Sequence, residues 1–600
     1  MKSASLSEIL EGVKMSTVSE PIPSGSDERA SRPPTGAQAV AQVIAGQERP
    51  IVLGIPGGYT MRIYDALFPL RDRVDTHLVR QESIATVMAE AHGRLTGRPA
   101  FVIAQGAWVL GNAGIGIMEA HLGASPVVLL IDATDGGAYS HLGPYQAGFG
   151  GYGAYDLPAA MSAITKRTFV AGDPTQALQM TQLAIKHATS GEPGPVAVIF
   201  HGRSLFERLD PAVQPPTYPD RSYASPAAPI APDSQIDSAV DLLRASSRPV
   251  IVSGNGVRLA KAEEQLLAFA RAIGAPVATT PAGKGTFPEI DALAVGVIGS
   301  FGHDTANTVV GDADLVIAVG TKLGATDTAN AHPALINARR QKIMHLDVEP
   351  LNLSWTYPAD VMVLGDAADT LIRLRHSAGR TTDGARRVAA ARAKHGYFDR
   401  PFSSEPGRLS ARDVVRVLSE ELADEAVVTC DAGENRLFVL RDFQAKPGGT
   451  VLQPNGGGGM AYAIPAAIAA AVDFPGRPTV AVCGDGGFSM SLHSLVSAVE
   501  LGVSLTVVVL DNNVLGWVYN GQRGRVIASE LGSLDYTAVA SAIGAFARSV
   551  DTLDAARKEI REARGRSGVS VVVAKTTKDD RYQDIMSALN PHDVYAVPED

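Results

Sequence analysis

The sequence predicts an α/β protein of three consecutive α/β domains with parallel sheets, and three observations carry that expectation. The run VAVCGDGGFSMSLHSLVSAVELGVSLTVVVLDNNVLGWV, residues 480–518, reads as strand, helix-length segment and strand, a parallel βαβ unit. From Thr35 to about Phe206 the chain again alternates β-branched strands with amphipathic segments. The periodicity breaks twice between such stretches, at 207–232 with its seven prolines and at the charged, Arg/Ala-rich bridge 376–408.

Taken in order, residues 1–34 collect Ser, Pro, Glu and Gly without periodicity. They read as a disordered extension, because no apolar stretch stands between a basic start and a small-residue cleavage site. Met15 offers an alternative start. The first unit (35–206) leads through the Pro-rich linker (207–232) to a central unit at 233–375, with strands such as PVIVSGNG, LVIAVGT and KIMHLDVEP. After the bridge comes a third unit, 409–578, then a C-terminal tail, 579–600.

Composition fits and excludes. Six hundred residues, 45% of them hydrophobic, can fill several cores. No run of 18 apolar residues predicts a membrane span. A net charge of −10 without a Lys/Arg block argues against nucleic acid as partner. Cys430 and Cys483 both end strands and read as reduced, buried small residues, which suits a cytoplasmic protein.

The chemistry concentrates at strand ends. Parallel strands joined by a helix bring their C-terminal ends to one sheet edge, so Asp485 and Asn512 face one small site despite their separation in sequence. A carboxylate and an amide oxygen beside Gly484, Gly486 and Gly487 suit a magnesium-bound diphosphate. The metal takes hard oxygen ligands, and the Gly-rich turn supplies N–H donors.

This run resembles the thiamin-diphosphate motif, a GDG followed after a helix-length spacer by an Asn pair. The resemblance makes the Asp485 carboxylate, the Asn512 side chain and the Val514 carbonyl the magnesium ligands, with Gly486 and Gly487 beside the phosphates. Residues 77–132, HLVRQESIATVMAEAHGRLTGRPAFVIAQGAWVLGNAGIGIMEAHLGASPVVLLID, look like the pyrimidine-binding domain of the acetolactate synthase and pyruvate oxidase family. There the resemblance implies that Glu82 exchanges a proton with the cofactor's aminopyrimidine, with Pro56, Gly57 and Asn112 nearby. Read alone, Glu82 is a helix N-terminal acid favoured by the dipole. VVTCDAGEN (427–435) is similar to the family's first diphosphate contact and puts Gly433, Glu434 and Asn435 near the phosphates. In NGGGGMAYAIPAAIAAAV (455–472) the resemblance gives the Gly458 carbonyl an aminopyrimidine contact and makes Met460 the prop of a bent cofactor.

Other segments depart from the family. The Arg by which acetolactate synthases hold the acceptor becomes Lys322, which lacks a bidentate fork. GAWVLGN (106–112) keeps Asn112 but sets Trp108 where a Pro is expected, and AYSHLGPYQAGFGGYGAYD (138–156) replaces the family's AFQE loop. Trp108, His141, Gln146 and Trp517 are the expected substrate-pocket residues. The expectation is therefore a thiamin-diphosphate- and magnesium-dependent 2-keto acid decarboxylase or carboligase with an altered acceptor pocket. The alternatives are a 2-hydroxyacyl-CoA lyase or oxalyl-CoA decarboxylase type and, behind these, a non-catalytic relative. GNGVR, GTKLGAT and HLDVEP in the central unit, with Asp347 ending a strand, leave FAD, another adenine nucleotide or no ligand open there. The resemblance implies a homodimer or homotetramer with active sites at the subunit interface, and a shared ancestral fold for the first and third units.

Overall fold

The computed structural model describes residues 32–134, 145–213, 217–218, 228–377, 379 and 382–590. His141 lies outside the described residues. Three six-stranded sheets follow one another along the chain, each parallel throughout. The first consists of β1 (Ile51–Gly54), β2 (Asp75–Leu78), β3 (Ala100–Gln105), β4 (Val127–Asp132), β5 (Arg167–Ala171) and β6 (Pro195–Phe200), in the order β2-β1-β3-β4-β6-β5. The central sheet consists of β7 (Pro249–Ser253), β8 (Val277–Thr279), β9 (Ala294–Val297), β10 (Leu315–Val319), β11 (Lys342–Asp347) and β12 (Val361–Leu364), in the order β12-β11-β10-β7-β8-β9. The third consists of β13 (Val427–Cys430), β14 (Thr450–Leu452), β15 (Thr479–Gly484), β16 (Leu505–Asp511), β17 (Phe546–Val550) and β18 (Val569–Lys575), in the order β14-β13-β15-β16-β18-β17.

The first and third orders are identical strand for strand. The central order, read from β9, is that of doubly wound dinucleotide-binding folds. Strands such as β4 (VVLLID) and β16 (LTVVVLD) are buried along their whole length, because helices cover both faces of a parallel sheet.

The first and third units share one apolar core. The helix Glu82–Thr96, which follows β2, packs on the helix Ala463–Asp473, which follows β14. Ala85, Met88 and Ala89 from one side and Ile464, Ala467 and Ile468 from the other belong to that core. The small residues let the two helices approach closely and bury area that neither sheet could cover alone.

The bridge 376–408 is more than a spacer. It carries the helix Gly384–His395, which buries Val388 and lies against the helix Asp304–Gly311. Its Arg387 donates to the Pro249 carbonyl and its Arg392 to the carbonyls of Asp291 and Ala294. The C-terminal segment likewise folds back, with a short turn at Tyr582–Ile585 that buries Tyr582 completely. No helix among the described residues is long and apolar enough to cross a membrane.

Candidate active site

The C-terminal edge of the third sheet gathers the residues expected near a diphosphate. A cavity of about 140 Å³ is lined by Gly433, Glu434 and Asn435 after β13, by Asp485, Gly486 and Gly487 after β15, and by Asn512 and Val514 after β16. Met460, Phe438, Leu515 and Trp517 add an apolar wall. Asp485 is buried and accepts from the amides of Gly486 (2.8 Å) and Asn513 (2.6 Å). Burial and the neighbouring Asp511 carboxylate push its carboxyl up to about 7. Asp511 itself pairs with Lys575. Asn513 holds a left-handed φ of 58°, which lets the Asn512 side chain and the Val514 backbone turn back towards Asp485; the Val514 amide donates to Asn512 Oδ1 at 3.2 Å.

The glycines here are required by space. A Cβ on Gly487 would collide with Asp431 Oδ2, and one on Gly516 with Glu434 Oε2. Glu434 opens the helix Glu434–Asp442 and accepts from Asn520 Nδ2 (2.7 Å) and the Tyr582 amide (2.9 Å); burial pushes its carboxyl up to about 7. Tyr582 stacks on Trp517 with ring centroids 4.5 Å apart. The turn Tyr582–Ile585 thus backs one wall residue of the cavity, a contribution that reading 579–600 as a tail did not anticipate.

The first sheet's edge holds the other expected group. Glu82 is buried at the start of its helix and accepts from Asn112 Nδ2 at 3.0 Å. The turn Pro56-Gly57-Gly58 after β1 lies against Gln105, and Gln105 donates to Gln146 at 3.2 Å. Asp132, at the end of β4, collects the amides of Tyr59, Thr60 and Gly106 and ties these loops together. Trp108, on the helix Gly106–Asn112, is 49% exposed. None of these residues lines the cavity on the third sheet within the same chain. Gly458, with φ 63°, sits on the loop that joins β14 to the helix Ala463–Asp473 in the third unit.

Three models of one protein family match this chain in succession: "Thiamine pyrophosphate enzyme, N-terminal TPP binding domain" at residues 34–145, the "central domain" at 236–374, and the "C-terminal TPP binding domain" at 431–574. The chain belongs to the thiamine pyrophosphate enzymes. It is similar to the acetolactate synthase large subunit of Corynebacterium glutamicum, 29% identical over 553 residues, which are 90% of this chain and 86% of that protein. A probable acetolactate synthase large subunit of Methanocaldococcus jannaschii is 29% identical, covering 88% of this chain and 89% of its own. The isozyme 3 large subunit of Escherichia coli is 28% identical, covering 85% and 88%.

This thiamine pyrophosphate enzyme has a second, larger cavity, of about 340 Å³, on the central sheet. It opens where the order reverses between β7 and β10, and Asn255, Gly256, Gly320, Thr321 and Asp347 line it from the strand ends. A side chain on Gly254 or Gly256 would strike the backbone at Gly320. Asp347 is buried, accepts from Glu349 N (2.9 Å) and Asn352 Nδ2 (3.2 Å), and is held above the ordinary carboxyl range by burial. Lys322 lies in this cavity, paired with Glu192 at 2.5 Å.

Sequence reasoning passed over Asp431, Asp132, Gln105 and Glu119. Asp431 receives the amides of Ala461, Tyr462 and Ala463 at 2.6–3.0 Å, and burial raises its carboxyl to about 6. The available signal was an acid at the very end of an apolar strand (Asp132, Asp431) or inside an apolar helix (Glu119 in GIGIMEAHL), where an ion persists only with dedicated partners.

Proposed function

We propose that this enzyme uses thiamin diphosphate and magnesium to break and form the C–C bond beside a carbonyl, as a 2-keto acid decarboxylase or carboligase whose acceptor pocket differs from that of the acetolactate synthases. The observation that carries the reading is the cavity on the third sheet. Asp485 is buried at a strand end beside Asp511, and burial with that neighbouring carboxylate makes its charged form costly. A divalent cation there relieves that cost, and the oxygens of Asp485, Asn512 and Val514 form a hard donor set that diphosphate would complete. Gly486, Gly487 and the helix start at Glu434 leave backbone room for the phosphates, with Gly433 and Asn435 at their side.

When bound, thiamin diphosphate supplies a carbon nucleophile and an electron sink for the bond that breaks. The chain's own part is positioning and proton transfer. Glu82 gives and takes the aminopyrimidine proton, and Asn112 fixes its carboxylate by donating to Oε2. Pro56 and Gly57 would border the same ring, Gly458 would offer it a carbonyl, and Met460 would support the cofactor from beneath. Phe438, Leu515 and Trp517 line the same cavity and would keep water from the reacting carbon. Trp108, Gln146 and Trp517 would shape the substrate side. Since Glu82 stands apart from the cavity of its own chain, a second chain completes each site, in a homodimer or homotetramer.

The central cavity is read as a site for FAD or another adenine nucleotide, supported by its place at the reversal of strand order and by Asp347 at a strand end. With Lys322 occupied by Glu192, that residue does not replace the acceptor-binding Arg of acetolactate synthases, which supports a different acceptor.

The deciding experiment incubates the protein with thiamin diphosphate, magnesium and a panel of 2-keto acids, reading carbon dioxide and condensed products by mass spectrometry. Cofactor- and metal-dependent release of carbon dioxide from at least one acid is expected. Turnover of acyl-CoA substrates alone would favour the lyase reading, and no turnover of either class would overturn both.

A further inference from the structure

The glycines Gly456–Gly459 give the cofactor loop no side chains by which to pack. Such a run is also the most mobile backbone a chain can offer. Its position must therefore be imposed from outside, and two buried carboxylates do so. Asp431, from the same unit, takes the amides of Ala461, Tyr462 and Ala463 at the loop's far end. Glu119, from the first unit, takes those of Asn455 (2.6 Å), Gly456 (2.8 Å) and Gly457 (2.8 Å) at the near end. Gly458, Gly459 and Met460 span the interval between the two ties.

Glu119 is itself built in. It is 1% exposed on the helix Gly114–Leu122 and faces Arg94 at 3.5 Å. Arg94 is equally buried; its Nε donates to Glu90 Oε1 (2.7 Å) and its Nη1 to the Gln453 carbonyl (2.8 Å). Glu90 accepts the Tyr462 hydroxyl at 2.7 Å, so the network reaches the loop's two ends by separate routes. Fully paired groups in a dry junction have one arrangement, and the loop inherits it. The helix also sets the loop's height: a Cβ on Gly459 would run into the Ile115 side chain, and one on Gly456 into Leu122.

We propose that Glu119 is a positioning residue of the thiamin diphosphate site, and that the helix Gly114–Leu122 is the bed on which the Gly458–Met460 stretch of the same chain is laid. The inference rests on the cofactor reading above. Each site would then draw on the first unit twice. Glu82 would act on the cofactor from one chain, and Glu119 would act on the cofactor's loop from the other.

The test reads proton transfer rather than turnover. The rate at which bound thiamin diphosphate exchanges its thiazolium C2 hydrogen for deuterium is measured by quenched-flow NMR on the full chain, with magnesium and no substrate. Glu119→Gln keeps one acceptor oxygen but turns an N–H₂ towards at least one amide that needs an acceptor. It should slow exchange by about tenfold to a hundredfold, the scale of a misplaced reacting group. Cofactor affinity should change by less than about fivefold, since the metal and phosphate contacts lie elsewhere. A second pair of variants leaves every charge in place. Gly459→Ala should slow exchange similarly, Ile115→Ala alone should not, and the double variant should regain most of the rate. Parental exchange in a folded Glu119→Gln protein would overturn the inference. So would failure of Ile115→Ala to rescue Gly459→Ala, which decides the matter if Glu119→Gln does not fold. If the parent protein binds no thiamin diphosphate, the cofactor reading itself has failed, and the two failures are told apart.

Discussion

Helix Glu82–Thr96 of the first unit and helix Ala463–Asp473 of the third hold equivalent places, each following the second strand of an identically ordered sheet, and they pack on each other. The approach to each lies on a helix that follows the third strand of the opposite sheet. Arg80, just ahead of the first helix, donates its amide to Ser497 and pairs with Glu500 on the helix Leu492–Glu500. The loop Asn455–Gly457, ahead of the second, lies on Glu119 of the helix Gly114–Leu122. The architecture is nearly symmetric, but the chemistry is not. The Arg80–Glu500 pair is about half exposed, with side chains 46% and 42% accessible, whereas Glu119 is buried. One unit begins its helix at once with an acid, Glu82. The other delays its helix behind four glycines and places its oxygens on the neighbouring strand ends. On the function proposed above, two sheets of one strand order would divide a task, the first supplying a proton-transfer group and the second a metal and phosphate cradle.

That division can be broken most severely on the cradle side. Asp485→Ala removes the carboxylate proposed to hold the metal and leaves Asp511 paired with Lys575. Magnesium-dependent binding of thiamin diphosphate, followed by isothermal titration calorimetry, should be lost, because the metal would lose its carboxylate ligand and the diphosphate its bridging cation. Tight binding by the chelated parent protein would remove the metal from the argument.

Glu82→Gln attacks the other half and should look different. The amide keeps the shape and can still meet Asn112, but it cannot pass a proton. Turnover should fall by about two orders of magnitude or more, while cofactor affinity holds. The two variants together test the division directly. Mixed under conditions that exchange subunits, two inactive proteins should yield heterodimers with one intact site. Each parent should stay inactive. A sedimenting active monomer, or no recovery after proven exchange, would mean that each chain builds its own site.

What the sequence allowed a reader to see follows the same division. Asp485, Asn512 and the glycines between them were legible because strand, turn and helix start are local events, and parallel pairing brings them to one edge. The order of all three sheets was legible only as far as parallel α/β, since β-strand neighbours are chosen by packing over long separations. Glu82 could be read either as a cap or as an acid, and only its bond to Asn112, 30 residues on, shows a carboxylate held in one direction. Glu119 showed only as an acid inside an apolar helix, because the amides it holds lie more than 300 residues away. Tyr582 shows the same limit at the chain's end. Nothing in RYQDI announces that its ring will stack on Trp517.

The smallest effect is expected where the near-symmetry is weakest, and it bears on which junction holds the units in place. Arg80→Ala deletes an ion pair that water reaches from both sides, and such pairs are screened by salt and offset by the side-chain entropy of holding them. Arg80 holds the Glu500 carboxyl below its ordinary range, so whatever stability the pair adds is present above that range and is lost as the pH falls through the lowered value. The Arg80 amide keeps its bond to Ser497 in the variant, because that contact belongs to the backbone. The urea midpoint of Arg80→Ala at neutral pH and moderate salt should therefore match that of the parent. Any difference seen in low salt should vanish at acid pH, where Glu500 is protonated in both proteins. Glu119→Gln, measured alongside, should lower the midpoint clearly, since it removes the buried charge that faces Arg94 and turns an N–H₂ towards at least one buried amide. A shift for Arg80→Ala as large as that for Glu119→Gln would mean that both junctions bear the load equally, and that the asymmetry in burial does not translate into an asymmetry in stability.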